Sequence, residues 1–201
     1  MTAARRIEIY GIRHVYVEYN NAGVLALKRL YTAQKFDLKV TNSQLEFSGD
    51  GRKFRKIYGY QSEGTIDVDT WDDQMDAILW SVPNTAPAGG DDFNTRLIKG
   101  SSAEMSPAFV GIRVSRDAGD GDTGAPLVIR TRVLRAQFAP DMPTQAQSEA
   151  IEPRTLTWNA RIATTDVVGG AITGMPAFGC FHVIDVLTDT TKFDPVPGDI
   201  Y

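Results

Sequence analysis

From Thr65 to Asp69 (Thr-Ile-Asp-Val-Asp) polar and apolar side chains change places at every residue. Only an extended chain gives such a period of two a structural meaning, because successive side chains then point to opposite faces. The segment therefore reads as a strand with Ile66 and Val68 on a dry face and Thr65, Asp67 and Asp69 on a wet one. The same pattern recurs. Phe109–Arg116 opposes Val110, Ile112 and Val114 to Arg113 and Ser115, and Arg154–Thr164 opposes Leu156, Trp158, Ala160 and Ile162 to Thr155, Thr157, Asn159 and Arg161. Leu127–Phe138 carries apolar groups on both faces, which predicts a central strand. Phe36–Val40 and Gln44–Phe47 read as strand with Phe54–Tyr60 as its return, and Phe178–Leu187 reads as a last strand before an irregular tail. Eighteen glycines and ten prolines punctuate these short segments, so the expected class is mainly β, a sandwich or barrel.

One helix is expected against the sheet. Thr70 is an N-cap with Asp73 three residues on, and Asp72 and Asp73 suit the positive end of the helix. Met75, Ile78, Leu79 and Val82 follow as one apolar stripe, and Pro83 stops it. Ala22–Lys35 fits helix or strand. The stretches 83–94, 117–126 and 141–153 read as loops, and none is long enough for a domain linker. A single domain over 1–201 is expected, with a core at 7–164 and an extension or arm at 165–201.

Composition narrows the function. With 42% apolar and 23% charged residues the chain is of ordinary globular type. No apolar run approaches the ~18 residues of a membrane helix, and Met1–Tyr10 lacks the apolar stretch of a secretory signal. Cys180 is the single cysteine, so neither an internal disulfide nor a cysteine-built zinc site is expected. Twenty-one basic against 25 acidic residues, net −4, argue against a dedicated nucleic-acid binder.

Three groupings bear on chemistry. Cys180 and His182 stand two apart on an expected strand and share a face, as a nucleophile and base would, but a buried strand with a small thiol is the expectation. Asp117, Asp120 and Asp122 form an acidic turn without the spacing or terminal Glu of an EF-hand, so a solvated turn is expected and no metal. Arg52, Lys53, Arg55 and Lys56 follow the turn Gly49-Asp50-Gly51. They suit a solvated hairpin end, or a contact with acids on a second copy, the candidates being Asp72, Asp73 and Asp76, or Asp91 and Asp92; a nucleic-acid patch is the lesser option, with four charges on a net acidic chain.

The order of these elements resembles the major tail tube proteins of long-tailed bacteriophages. The resemblance is carried by Tyr58–Asp69 running into Trp71–Trp80, with Tyr10–Val17 upstream and Pro107–Val114, the strand 127–138 and Thr155–Arg161 downstream, and it covers roughly Ile7 to Thr164. It implies a β-barrel or sandwich with a flanking helix, in a structural protein and no enzyme, without cofactor or membrane insertion. Subunits of this kind form hexameric rings that stack into a tube, with tape measure, tail terminator and tail tip proteins as partners. The genome passes through the lumen without specific binding. The location implied is the virion tail, and the host cytoplasm during assembly.

Within that picture Thr65, Asp67 and Asp69 would line the lumen, where acidic and neutral walls let DNA slide. Arg52, Lys53, Arg55, Lys56, Asp72 and Asp73 would meet neighbouring subunits. The alternatives are a tail terminator, baseplate or secretion-tube protein of the same fold, a soluble ligand-binding β-barrel with Trp80, Trp158 and Phe181 around its pocket, and a hydrolase using Cys180 and His182.

Overall fold

A computed structural model describes residues 6–30, 33–49, 52–68, 75, 78–79, 84–85, 95–96, 108–139, 154–172 and 174–188. Residues 34, 43–49, 52–58, 84–85 and 95–96 are described by backbone alone. The chain is mainly antiparallel β. Its strands are β1 (Ile7–Asn21), β2 (Val24–Leu30), β3 (Ala33–Gly49), β4 (Arg52–Val68), β5 (Asn84–Thr85), β6 (Thr95–Arg96), β7 (Val110–Asp120), β8 (Pro126–Phe138), β9 (Arg154–Ala160) and β10 (His182–Leu187). Eight of them form one sheet in the order β2-β1-β7-β8-β9-β4-β3, with β10 beside β8, while β5 and β6 pair separately.

The sheet curls around one core. Leu30 of β2 and Phe36 of β3, from opposite ends of the strand order, fall in a single apolar cluster with Val15, Val17, Ile66, Val68, Val110, Ile112, Val114, Phe138, Leu156 and Trp158. The alternation in β4 and β9 is as the sequence predicts: Ile66, Val68, Leu156 and Trp158 are buried, and Thr155 and Thr157 are exposed. β8 is central, as its two apolar faces imply. Between Val110↔Ala136 and Ile112↔Val133, two residues of β8, Leu134 and Arg135, oppose the single Gly111 of β7. At this bulge β8 exchanges one neighbour for another, pairing with β10 before it and β9 after it.

Several expectations are corrected. The two strands expected at 54–60 and 65–69 are one continuous strand through Gly59 and Gly64, and β3 likewise runs unbroken through Thr41–Ser43. Val24–Leu30 is strand, which settles the ambiguous stretch. β9 ends at Ala160, and Ile162, expected on the dry face, is half exposed. The last strand begins at His182, after Gly179 at φ 75° has turned the chain. Of the expected helix, Met75, Ile78 and Leu79 are described. All three are helical, Met75 and Leu79 lie in the core, and Ile78 packs against it. The rest of 71–82 lies outside the described residues.

The second side of the sheet is also covered. Ala163 and Cys180 exchange backbone hydrogen bonds of 3.0 Å, and the Leu134 N–H donates to the Phe181 carbonyl at 3.0 Å. The expected extension from 165 thus folds back onto the sheet and, at 182–187, joins it. Also on this second side, Glu18 is 1% exposed. Its carboxylate accepts from Arg132 Nε (3.0 Å) and Nη2 (2.9 Å) and from Arg113 Nε (2.7 Å), and Arg113 Nη2 completes an ion pair at 2.7 Å. Gly111, opposite Glu18 in the β1–β7 register, leaves the space: a Cβ there would stand 2.8 Å from Glu18 Oε2. Burial lowers the pKa of Arg113 against the pull of Glu18. At Arg132 burial acts the same way but is outweighed by the Glu18 hydrogen bond and charge, with Asp166 and Asp185 adding, so its pKa is raised. Both guanidiniums stay charged, because arginine titrates far above neutral pH.

Candidate interaction surfaces of the sheet and its arm

The wet face of β3, β4 and β9 is built in cross-strand rows. Lys35, Asp67 and Thr155 lie abreast, then Asp37, Thr65 and Thr157, then Lys39, Glu63 and Asn159. Such rows are where side chains of adjacent strands meet. Thr155 Oγ1 donates to Asp67 Oδ1 at 2.6 Å. Lys35 pairs with Asp37 at 2.8 Å and Lys39 with Glu63 at 3.6 Å. The hydrogen bond and charge of Asp37 raise the pKa of Lys35, with a smaller contribution from Asp67. Thr65 and Asp67 are half-buried and occupy the face expected of them, while Asp69 lies outside the described residues. Two lysines against three carboxylates leave the rows one negative charge in excess, and every charge has a neighbour of opposite sign or a hydroxyl. Such a surface offers phosphate no concentrated positive field.

β3 and β4 continue past this face as a two-stranded arm. β9 covers β4 only from Ser62 to Val68, and among the described residues Arg52–Gln61 pairs with β3 alone. Ten residues at ~3.3 Å each make an arm of about 30 Å. Where it leaves the core the apolar row loses its cover: Phe36 is buried, Leu38 half-buried, and Val40 and Tyr60 are exposed. Arg52, Lys53, Arg55 and Lys56 stand at its tip, in register with Gly49, Ser48, Glu46 and Leu45. The register thus sets Arg55 opposite the position of Glu46, a pairing of positions that the spacing within the basic run does not reveal. Asp72, Asp73, Asp76, Asp91 and Asp92 lie outside the described residues.

The remaining groupings are dispersed. Asp117 lies 3.9 Å from Arg13. Asp120 is buried, and its Oδ1 accepts from the N–H groups of Asp122 (2.9 Å) and Thr123 (3.1 Å), so it shapes the turn. Among the described residues no three His, Cys, Asp or Glu side chains gather as metal ligands. Cys180 Sγ sits 3.5 Å from Met175 Sδ. Burial pushes its thiol pKa up, against a lowering hydrogen bond from the His182 backbone, which is the wrong direction for a thiolate nucleophile. Trp158 is buried in the main core, Phe181 is outside that cluster, and Trp80 lies outside the described residues.

Sequence reasoning did not single out the Glu18 network, because its partners Arg113 and Arg132 lie 95 and 114 residues away. Among the described residues no helix is long and apolar enough to cross a membrane. No protein-family model and no curated protein sequence matches the chain.

Proposed function

We propose that the chain is a structural subunit of a bacteriophage tail tube, a flank-helix β-barrel of that family that forms stacked homomeric rings around a genome-conducting lumen. The observation that carries this reading is the arm of β3 and β4, which β9 leaves beyond Ser62 and which no other described strand pairs with. An isolated two-stranded ribbon is marginal in water, so Thr41–Gln61 gains its stability by lying against another surface. The neighbouring subunit supplies that surface. β2 adds a second feature: among the described residues it ends the strand order, Val24–Leu30 contains no proline, and an edge of this kind can pair with another strand. The rows around Thr65 and Asp67 face the lumen, where paired charges and hydroxyls let phosphates pass.

The arm tip gives the test. Exposed ion pairs are worth only about 0–1 kcal/mol each, but a ring repeats them by symmetry. Arg52→Glu with Lys53→Glu is expected to slow or abolish assembly, followed by light scattering, while circular dichroism and thermal midpoint stay as in the wild type. Normal assembly with lost affinity for DNA would assign the run to nucleic acid instead.

A further inference from the structure

We propose that Arg135 and Arg161, gathered on the ring of Phe109, bind the carboxylate of Asp122 in a second copy of the chain. The inference deepens the tube reading and rests on it for the form the contact takes. Phe109 directly precedes β7, Arg135 lies in the β8 bulge, and Arg161 follows β9. Their backbones are tied together, the Arg161 N–H donating to the Arg135 carbonyl at 2.8 Å. The guanidinium carbons stand 4.2 Å (Arg135) and 5.1 Å (Arg161) from the Phe109 centroid, hence within about 9 Å of each other. One aromatic face attracts a cation, but two like charges this close repel, and an anion between them removes the conflict.

Four other arginines of the sheet have acids beside them: Arg113 and Arg132 share Glu18, Arg130 holds Asp185 at 2.6 Å, and Arg13 lies near Asp117. Arg135 and Arg161 are exposed and, among the described residues, meet no carboxylate.

Asp122 is the complementary group. It is exposed and makes no ion pair among the described residues. Its turn is fixed by the Asp120 carboxylate, by Gly124 N–H to the Asp120 carbonyl (2.6 Å), by Asp120 N–H to the Ala125 carbonyl (2.9 Å) and by Gly121 N–H to the Arg6 carbonyl (2.9 Å). The carboxylate is therefore presented on a backbone that loses little freedom on binding. It stands at the turn of the β7–β8 hairpin, whereas the arginines lie toward the other end, about 30 Å away at ~3.3 Å per residue. The two cannot meet within one chain. Between copies the contact joins opposite ends of the hairpin; made head-to-tail, as the tube reading requires, it propagates into rings or stacks, whereas made twice across a two-fold axis it closes as a pair. The arginine forks suit a carboxylate.

The test uses Asp122→Lys, the double variant Arg135→Glu with Arg161→Glu, and the two proteins mixed, with sedimentation velocity and negative-stain microscopy at low and high salt. Wild-type association is expected to weaken with salt. Each variant alone should need at least tenfold more protein to associate, and the equimolar mixture should recover, since each copy then meets an opposite charge at both ends. All substituted side chains are exposed; Asp122→Asn and Arg161→Gln give a milder pair should a reversal disturb folding. Variants that associate like the wild type would overturn the contact and leave the tube reading standing. Unchanged association with lost binding of a short DNA duplex would overturn it in favour of nucleic-acid phosphate. A salt-sensitive pair of copies that grows no further would keep the contact and remove the tube. A wild type that never associates overturns both.

Discussion

Replacing Glu18 with glutamine is expected to destabilise the fold by about 3–5 kcal/mol, the cost of leaving buried charges without their partner. Glu18 is 1% exposed, and the side chains of Arg113 and Arg132 are 14% and 13% exposed. The substitution keeps the shape and removes the charge, so two guanidiniums from adjacent strands remain side by side with no anion between them. Arg113 and Arg132 lie directly opposite in the β7–β8 register, which makes their repulsion the local consequence. Gly111→Ala is expected to act through the same group, since its methyl would stand 2.8 Å from Glu18 Oε2 and push the carboxylate aside. Replacing all three charged residues together with methionine or leucine should recover most of the loss, because a well-packed apolar set does not carry the desolvation cost of the ions. Urea unfolding of the single and triple variants measures both. A Glu18→Gln midpoint equal to that of the wild type would show that the network contributes nothing to stability.

Trp158→Ala is expected to cost about 3–5 kcal/mol, the range for emptying a large aromatic site in a core. The indole is fully buried and stacks on Phe36 with centroids 6.0 Å apart and 12° between the planes. Among the described residues its Nε1–H meets no hydrogen-bond partner, so Trp158→Phe should lose less, only packing being at stake. Gly64 completes the arrangement. It pairs with Trp158 on one side and Leu38 on the other, and a Cβ there would run into the Asp37 carbonyl oxygen and the indole ring. The carbonyl belongs to the ladder and cannot yield as a side chain can. Gly64→Ala should therefore separate the strands or expel the indole, seen as lost near-ultraviolet circular dichroism and quicker amide exchange in Ser62–Ile66. A Gly64→Ala protein with wild-type exchange would contradict this packing.

The sequence made the dry and wet faces of β4 and β9 legible, because one side of each strand packs on the core and the other on solvent or ions. It also marked β8 as central through its two apolar faces. The continuity of β4 was hidden by Gly59 and Gly64, which read as punctuation. In the fold Gly64 is a strand residue whose missing side chain admits an indole. Glu18 was hidden for the opposite reason: alternation places a charge on the second face but says nothing of its partners, Arg113 and Arg132, which lie 95 and 114 residues away in sequence. The basic run was visible at once, but that it ends an arm outreaching the sheet depends on how far β9 covers β4, and no local pattern records that.

The most direct measurement is electron microscopy of the purified protein across a range of concentration and salt, with preformed tube fragments as seeds. The account predicts hollow tubes of stacked rings, the β3–β4 arms lying on neighbouring subunits and Asp67 facing the lumen. Single-copy particles at every concentration, or tubes with Asp67 on the outer wall, would contradict it.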